Sequence, residues 1–248
     1  MKGILLAGGT GSRLYPLTKC INKHLLPIGD RPMAQWNIEK FVEAGITDIL
    51  IVSGKDQCGS IISQFGDGSD YGCDLTYKVQ EKAGGIAQAL MLAKNFAAGE
   101  SICVILGDNI FSMPLLNVER DFKDGAMIFL KEVPDPGRYG VAEFNVATDG
   151  IRIVSIEEKP KQPKSNYAVT GIYCYDSKVF DIIEGIKPSA RGEYEITDVN
   201  NEYVKRGLMK AKLMGNDEFW SDAGTFASYS MVNEYINNHL NRFNGIVR

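Results

Sequence analysis

The sequence predicts an α/β fold: a mixed, mainly parallel sheet flanked by helices. Three observations lead there. Short apolar runs at 3–6, 48–52, 75–79, 102–106 and 126–130 alternate with longer segments of helical period. The first run feeds a glycine-rich loop, GGTGSRLYP at 8–16, the kind of turn that lets backbone approach a phosphate. After about residue 133 the rhythm changes to alternating runs joined by turn residues.

Taken in order, the run at 3–6 is a buried strand. RPMAQWNIEKFVEAG follows at 31–45 and reads as a helix, with Pro32 at its first position and Gly45 as its stop. Met33, Trp36, Lys40 and Phe41 mark its turns. The strand at 48–52 leads on to DLTYKVQ, where Leu75, Tyr77 and Val79 share one side and Gln80 stands at the C-terminal end. GGIAQALMLAKNFAAG at 84–99 reads as a crossover helix with an alanine-rich face. VAEFNVATDGIRIVSIEEKP at 141–160 is a hairpin turning at Asp149-Gly150. YAVTGIYCYD at 167–176 is a further strand, and helical patterns follow at 177–185, 195–205 and 226–240. Neither repeats nor linkers interrupt the chain. The reading is one domain over 1–248, with a nucleotide-binding half over about 1–133 and a second half over about 134–248.

The 248 residues carry a net charge of −4, which argues against nucleic acid as a main partner, because phosphate backbones reward a basic surface. An anionic substrate would need positive charge gathered locally. Five cysteines, with no C-x-x-C pair, read as reduced structural thiols. The apolar segment GILLAGG is too short for a signal peptide, and no run reaches membrane-spanning length, so a cytoplasmic protein without a membrane partner is expected.

The glycine loop fits neither common phosphate-binding pattern. A Walker loop needs Lys-Ser/Thr after its last glycine, and here Gly11 is followed by Ser-Arg. A dinucleotide loop needs a third glycine where Leu14 stands, and an acidic residue after the second strand, which ends Ser53-Gly54-Lys55. What remains is a loop whose Gly8, Gly9 and Gly11 can turn several N–H groups toward an anion, with Thr10 and Ser12 between them and Arg13 as a permanent cation. Ten residues on, Lys23 lies in the irregular stretch NKHLLPIGDRP, which can fold back over bound phosphates. Each cation alone could be ordinary surface charge; their pairing around one loop favours function.

GGTGSRLYPLT followed by NKHLLPIGDRPM resembles the signature of the sugar-1-phosphate nucleotidyltransferases, in the pattern G-G-x-G-x-R-L and K-x-L-L-P. VQEKAGGIAQAL, VILGDNIF, DPGRYGVAEF, IEEKPKQPKSNYAVTGIYCYD, KPSARGEYEITDVN and FWSDAGT extend the likeness along nearly the whole chain, toward the branch that uses dTTP and glucose 1-phosphate. The resemblance implies a Rossmann-like nucleotidyltransferase fold. It also implies a reaction: a sugar phosphate oxygen attacks the α-phosphorus in line, giving dTDP-glucose and pyrophosphate, with Mg²⁺ as cofactor. The nucleophile is already an anion, so positioning and charge neutralisation carry the catalysis, and no nucleophilic triad is needed.

By that resemblance Arg13, Lys23 and Lys159 are catalytic, and Asp108 and Asp222 hold the metal. Asp108 ends an apolar strand, where open α/β sheets present ligand-facing groups, although a turn or cap aspartate would look the same. Gly8, Gln80 and Gly85 are expected at the base; Gln80 could equally be an exposed strand end. Gly140, Glu158, Lys159, Val169, Thr170, Arg191 and Trp220 are expected around the sugar phosphate. His24 reads as a loop histidine without a defined task, and His239 as surface. A homotetramer is the expected assembly. Longer enzymes of this kind continue past the position of Arg248 into helices of a regulatory nucleotide site, so feedback control is not carried over to this chain. Two alternatives stay open: the same chemistry with UTP or another hexose 1-phosphate, and a non-catalytic nucleotide-binding regulatory subunit.

Overall fold

The structure, a computed structural model, describes residues 1–148 and 150–243. Strand β1 (Lys2–Ala7) leads through the glycine loop and short 3₁₀ turns to a two-residue hairpin, β2 (Pro27–Ile28) with β3 (Arg31–Pro32). Helix α1 (Met33–Glu43) follows, then β4 (Asp48–Gly54), α2 (Cys58–Phe65), β5 (Asp74–Gln80), α3 (Ile86–Met91), α4 (Lys94–Ala97) and β6 (Ile102–Leu106). β7 (Asn109–Phe111), α5 (Val118–Asp121) and β8 (Ala126–Glu132) complete the first half. The second half holds β9 (Gly140–Ala147), β10 (Gly150–Glu158), β11 (Tyr167–Tyr175), α6 (Val179–Gly185), α7 (Ile196–Lys205), β12 (Met209–Leu213), β13 (Trp220–Asp222) and α8 (Phe226–Phe243).

One central sheet runs β10-β9-β11-β6-β1-β4-β5, with β8 beside β11 and β12 beside β8. β6, β1, β4 and β5 are mutually parallel, and β12 is parallel to β8; β11, β9 and β10 join antiparallel. The expected α/β class with a mixed sheet is therefore the one observed. β1 shows why the strands read as apolar runs: successive side chains enter opposite faces, and both faces are covered. Ile4 and Leu6 pack with Ala87, Leu90, Val199 and Tyr203 on the α3–α7 side. Leu5 and Ala7 pack with Ile38, Phe41, Ile61 and Phe65 on the α1–α2 side. A third cluster, including Leu14, Ile28, Trp36, Val232 and Ile236, docks α8 against the β2–β3 hairpin.

Some boundaries differ from expectation. Pro32 caps α1 from the hairpin rather than opening it, while Gly45 ends it at φ 79° as expected. The helix expected at 84–99 is broken into α3 and α4, because Leu92 and Ala93 donate to carbonyls three residues back rather than four. Its buried alanine face, Ala87, Ala89, Ala93 and Ala97, is nonetheless present. The hairpin forms, with Gly150 opposite Ala147; Asp149 and Arg248 lie outside the described residues. All five thiols are free, four of them buried. Among the described residues no helix is long and apolar enough to cross a membrane.

Candidate active site

β1 delivers the glycine loop to the C-terminal edge of the parallel strands. Gly11 sits at φ 67°, and a Cβ there would lie 3.0 Å from Thr18 and 3.1 Å from Lys23. Glycine thus serves both the turn and the close approach of the following segment, which Thr18 ties down by donating to the Gly11 carbonyl at 2.7 Å. Leu14 is buried and anchors the loop, while Thr10, Ser12 and Arg13 stay exposed. The Arg13 guanidinium lies over Gly224, where a Cβ would sit 3.0 Å from Nη2 and 3.1 Å from Asp222 Oδ2. Gly224 leaves the space in which the cation of the N-terminal loop comes near the carboxylate of the distant FWSDAGT segment, close enough for its charge to act on Asp222.

Lys23 is buried in a 3₁₀ turn, and its Nζ donates to Asp108 Oδ2 at 2.5 Å. Burial alone would raise the Asp108 pKa, but Lys23, with Asn109 donating to Oδ1 at 2.9 Å, holds the carboxyl well below the usual range. His24 corrects the sequence reading: it is part of the buried floor, not a loose loop residue. Its Nδ1 and backbone N–H both donate to Asn22 Oδ1 at 2.8 Å, and its ring fills the space that a Cβ on Gly107 would need. Because the backbone N–H fixes Asn22 Oδ1 as an acceptor, the imidazole proton is on Nδ1. Burial, then the Lys23 charge, lowers its pKa to about 3, so the ring is neutral.

Two three-residue strands bring the aspartates together. β13 pairs antiparallel with β7, placing Asp222 opposite Asn109, and the Ala223 N–H donates to the Asp108 carbonyl at 2.7 Å. Burial and the Asp108 charge raise the Asp222 pKa against the pull of Arg138, Tyr139 and Arg13. Tyr139 donates to Asp222 Oδ1 at 3.0 Å, and Arg138 Nη2 lies 3.6 Å from the same oxygen. Among the described residues no group of three or more His, Cys, Asp or Glu gathers as a metal site. Two carboxylates at the mouth of a phosphate loop fit a hard divalent ion that completes its shell with substrate oxygens and water.

Asn109 is the hub that sequence reading missed. Its Oδ1 accepts from Trp220 Nε1 at 2.8 Å and from the Gly171 N–H at 3.0 Å, leaving Nδ2 for Asp108. Trp220 is accordingly buried and stacks edge-on against Tyr139. The motifs LGDNIF, RYGV, YAVTGIYCYD and FWSDAGT held these residues in view; nothing in their spacing announced the links.

On the base side, Gln80 Nε2 donates to Gln88 Oε1 at 3.0 Å, and a Cβ on Gly8 would collide with Gln80 Oε1. Gly85, at φ 104°, has the backbone of Tyr194 where its Cβ would stand, which accounts for glycine there without any ligand. On the sugar side, Glu158 lies opposite Gly140 and accepts from Thr197 Oγ1 at 2.7 Å. Lys159, at φ 46°, lies 3.6 Å from Glu158, as does Arg191 Nη2. Arg191 is anchored by Glu195, with both carboxylate oxygens 2.9 Å from Nη2. Val169 is buried at the bulge of β11. Thr170 departs from expectation: it has no exposed surface, and its hydroxyl donates to the Phe129 carbonyl at 3.0 Å, so it braces the sheet. His239 is stacked on Tyr235 and is only partly exposed.

Comparison with known proteins identifies the family of the chain. Residues 2–239 match the nucleotidyl transferase family. The glucose-1-phosphate thymidylyltransferase of Neisseria meningitidis serogroup A is 42% identical over 232 residues, 92% of this chain and 80% of that protein. That of Mycolicibacterium smegmatis is 42% identical over 239 residues, 95% of this chain and 82% of that protein. Among solved structures, a Bacillus anthracis protein with the provisional name glucose-1-phosphate thymidylyltransferase, crystallised with sucrose, is 52% identical. It superposes with a TM-score of 0.89 over 96% of each chain. A UDP-glucose pyrophosphorylase holding UDP-glucose is 25% identical, with a TM-score of 0.85 over 96% of this chain and 98% of that one.

Proposed function

The chain belongs to the nucleotidyl transferase family, and from that premise we propose that it transfers a thymidylyl group from dTTP to glucose 1-phosphate, releasing pyrophosphate and giving dTDP-glucose. The observation that carries this reading is the convergence of Arg13, Lys23, Asp108 and Asp222 at the mouth of the glycine loop, built from both halves of the chain. A non-catalytic regulatory subunit would have no use for all four.

Two anions must be brought together, so the site is a matter of charge and position. The N–H groups of Gly8 to Ser12 hold the triphosphate, and Arg13 meets the pyrophosphate as it leaves. Lys23, drawn to Asp108 in the free protein, lies under the same phosphates. Gln80, with the backbone at Gly8 and Gly85, receives the base. Glu158, oriented by Thr197, accepts from sugar hydroxyls beside Gly140 and Val169, while Lys159 and Arg191 hold the sugar's phosphate against the α-phosphorus. Asp108 and Asp222 would hold Mg²⁺, which when bound neutralises and aligns the two phosphates. The same reading takes the protein as a cytoplasmic homotetramer that begins the supply of dTDP-deoxysugars such as rhamnose for surface polysaccharide.

The test is pyrophosphate release with Mg²⁺ and glucose 1-phosphate, comparing dTTP, UTP, dCTP, ATP and GTP. Preference for dTTP is expected, and Asp108→Asn should lower kcat at least about 100-fold with the fold intact. A preference for UTP would reassign the base. Silence with every nucleotide and a range of hexose 1-phosphates would sink the enzymatic reading.

A further inference from the structure

Gln80 is the side chain offered to the base, and an amide can present either its oxygen or its NH₂. Its neighbours decide which. The order of donors and acceptors begins at a group with no choice, the Gly84 backbone N–H, which donates to Gln88 Oε1 at 2.9 Å. That oxygen is therefore an acceptor, and the atom of Gln80 lying 3.0 Å from it must be Nε2. Gln80 Oε1 is left facing Gly8, and among the described residues no group donates to it. Gln88 cannot turn over without setting its own NH₂ against two donors. Nor can it move aside easily, because it lies across Gly84, where a Cβ would be 2.6 Å from its Cδ.

We infer that Gln88, on α3 and outside the base pocket, is a specificity-determining residue: it locks Gln80 so that a carbonyl oxygen faces the base. The inference rests on the functional reading above. An oxygen at that place accepts from the N3–H of thymine or uracil. Cytosine carries a lone pair at N3, so the same oxygen repels it. The selection is thus for the protonation pattern of the base edge and is indifferent to the 5-methyl group. Gln88 acts through Gln80 and touches no substrate, so it is a positioning residue.

The experiment measures dissociation constants for dTTP and dCTP by calorimetry, and kcat/KM for both by pyrophosphate release, in the wild type and in Gln88→Met, Gln88→Leu and Gln88→Glu. Gln88→Glu keeps an acceptor for both N–H groups and should retain the wild-type preference. Gln88→Met and Gln88→Leu free the Gln80 amide to rotate. They should lose about tenfold or more of the dTTP-to-dCTP ratio, the worth of one hydrogen bond. The KM for glucose 1-phosphate should stay unchanged; a merely structural defect would weaken both nucleotides alike. A wild-type ratio in either apolar variant, or an equal loss in Gln88→Glu, overturns the inference. If the wild type neither binds nor turns over dTTP or UTP, the functional reading falls, and this inference with it.

Discussion

At the scale of single residues, His24 shows how the site is tied to stability. Its imidazolium forms near pH 3 in the folded chain against 6.5 ordinarily, chiefly because the ring is buried and secondly because Lys23 lies beside it. Between those values the unfolded chain binds the extra proton, so stability rises with pH. The contribution is complete above about pH 6.5 and is lost as pH falls toward 3, with a slope of up to about 1.4 kcal/mol per pH unit. Asp108, held low by Lys23, acts in the same direction but at lower pH, below the ordinary carboxylate value. Urea unfolding at pH 7.5 and pH 5 should therefore show a larger drop for the wild type than for His24→Gln. Equal drops would mean that the ring is already charged in the fold. Arg13, Lys23 and Asp108 were legible in the sequence because each belongs to a long motif. His24 was not, because a single histidine in a loop carries no sign of what will be folded over it.

At the scale of elements, legibility follows length. Most strands of five residues or more show themselves by apolar runs or alternation, and β1, β4, β6, β8 and β11 were all read. β7 and β13 have three residues each, too few for any period, yet their pairing brings Asp222 to Asp108. The β12 edge and α2 were missed as well, β12 because Met209–Leu213 alternates weakly beside lysines. The β7–β11 junction offers a test of this pairing. A Cβ on Gly171 would lie 2.6 Å from both polar atoms of the Asn109 amide, which links Trp220, Gly171 and Asp108. Gly171→Ala should cost about 1–3 kcal/mol of stability through overpacking. In a Trp36→Phe background it should also shift the Trp220 fluorescence, as the indole loses its partner. An unchanged spectrum with unchanged stability would show that Asn109 has room to move aside.

At the scale of the molecule, the sequence divides near residue 133, but the sheet does not. β11, from the second half, pairs with β8 of the first half along one edge and with β6 of the first half and β9 along the other, so the two halves share one sheet and one core. Ile102, Val104 and Ile105 of β6 are fully buried, and the edge of β6 that they line is paired by residues 172–175. A fragment of 1–133 would expose that edge, together with apolar faces made for α6 and α7, a combination that invites aggregation. We expect this fragment to be insoluble or to bind a hydrophobic dye strongly, and the full chain to unfold in one cooperative step. The two tryptophans permit a direct check, since Trp36 packs with α8 and the β2–β3 hairpin while Trp220 lies at the site. Urea titrations of Trp36→Phe and Trp220→Phe, each reporting through the remaining indole, should give the same midpoint as circular dichroism of the same variant. Separated midpoints would mean that the halves open independently. The convergence of Arg13 and Asp222 would then depend on a hinge rather than on a single rigid sheet.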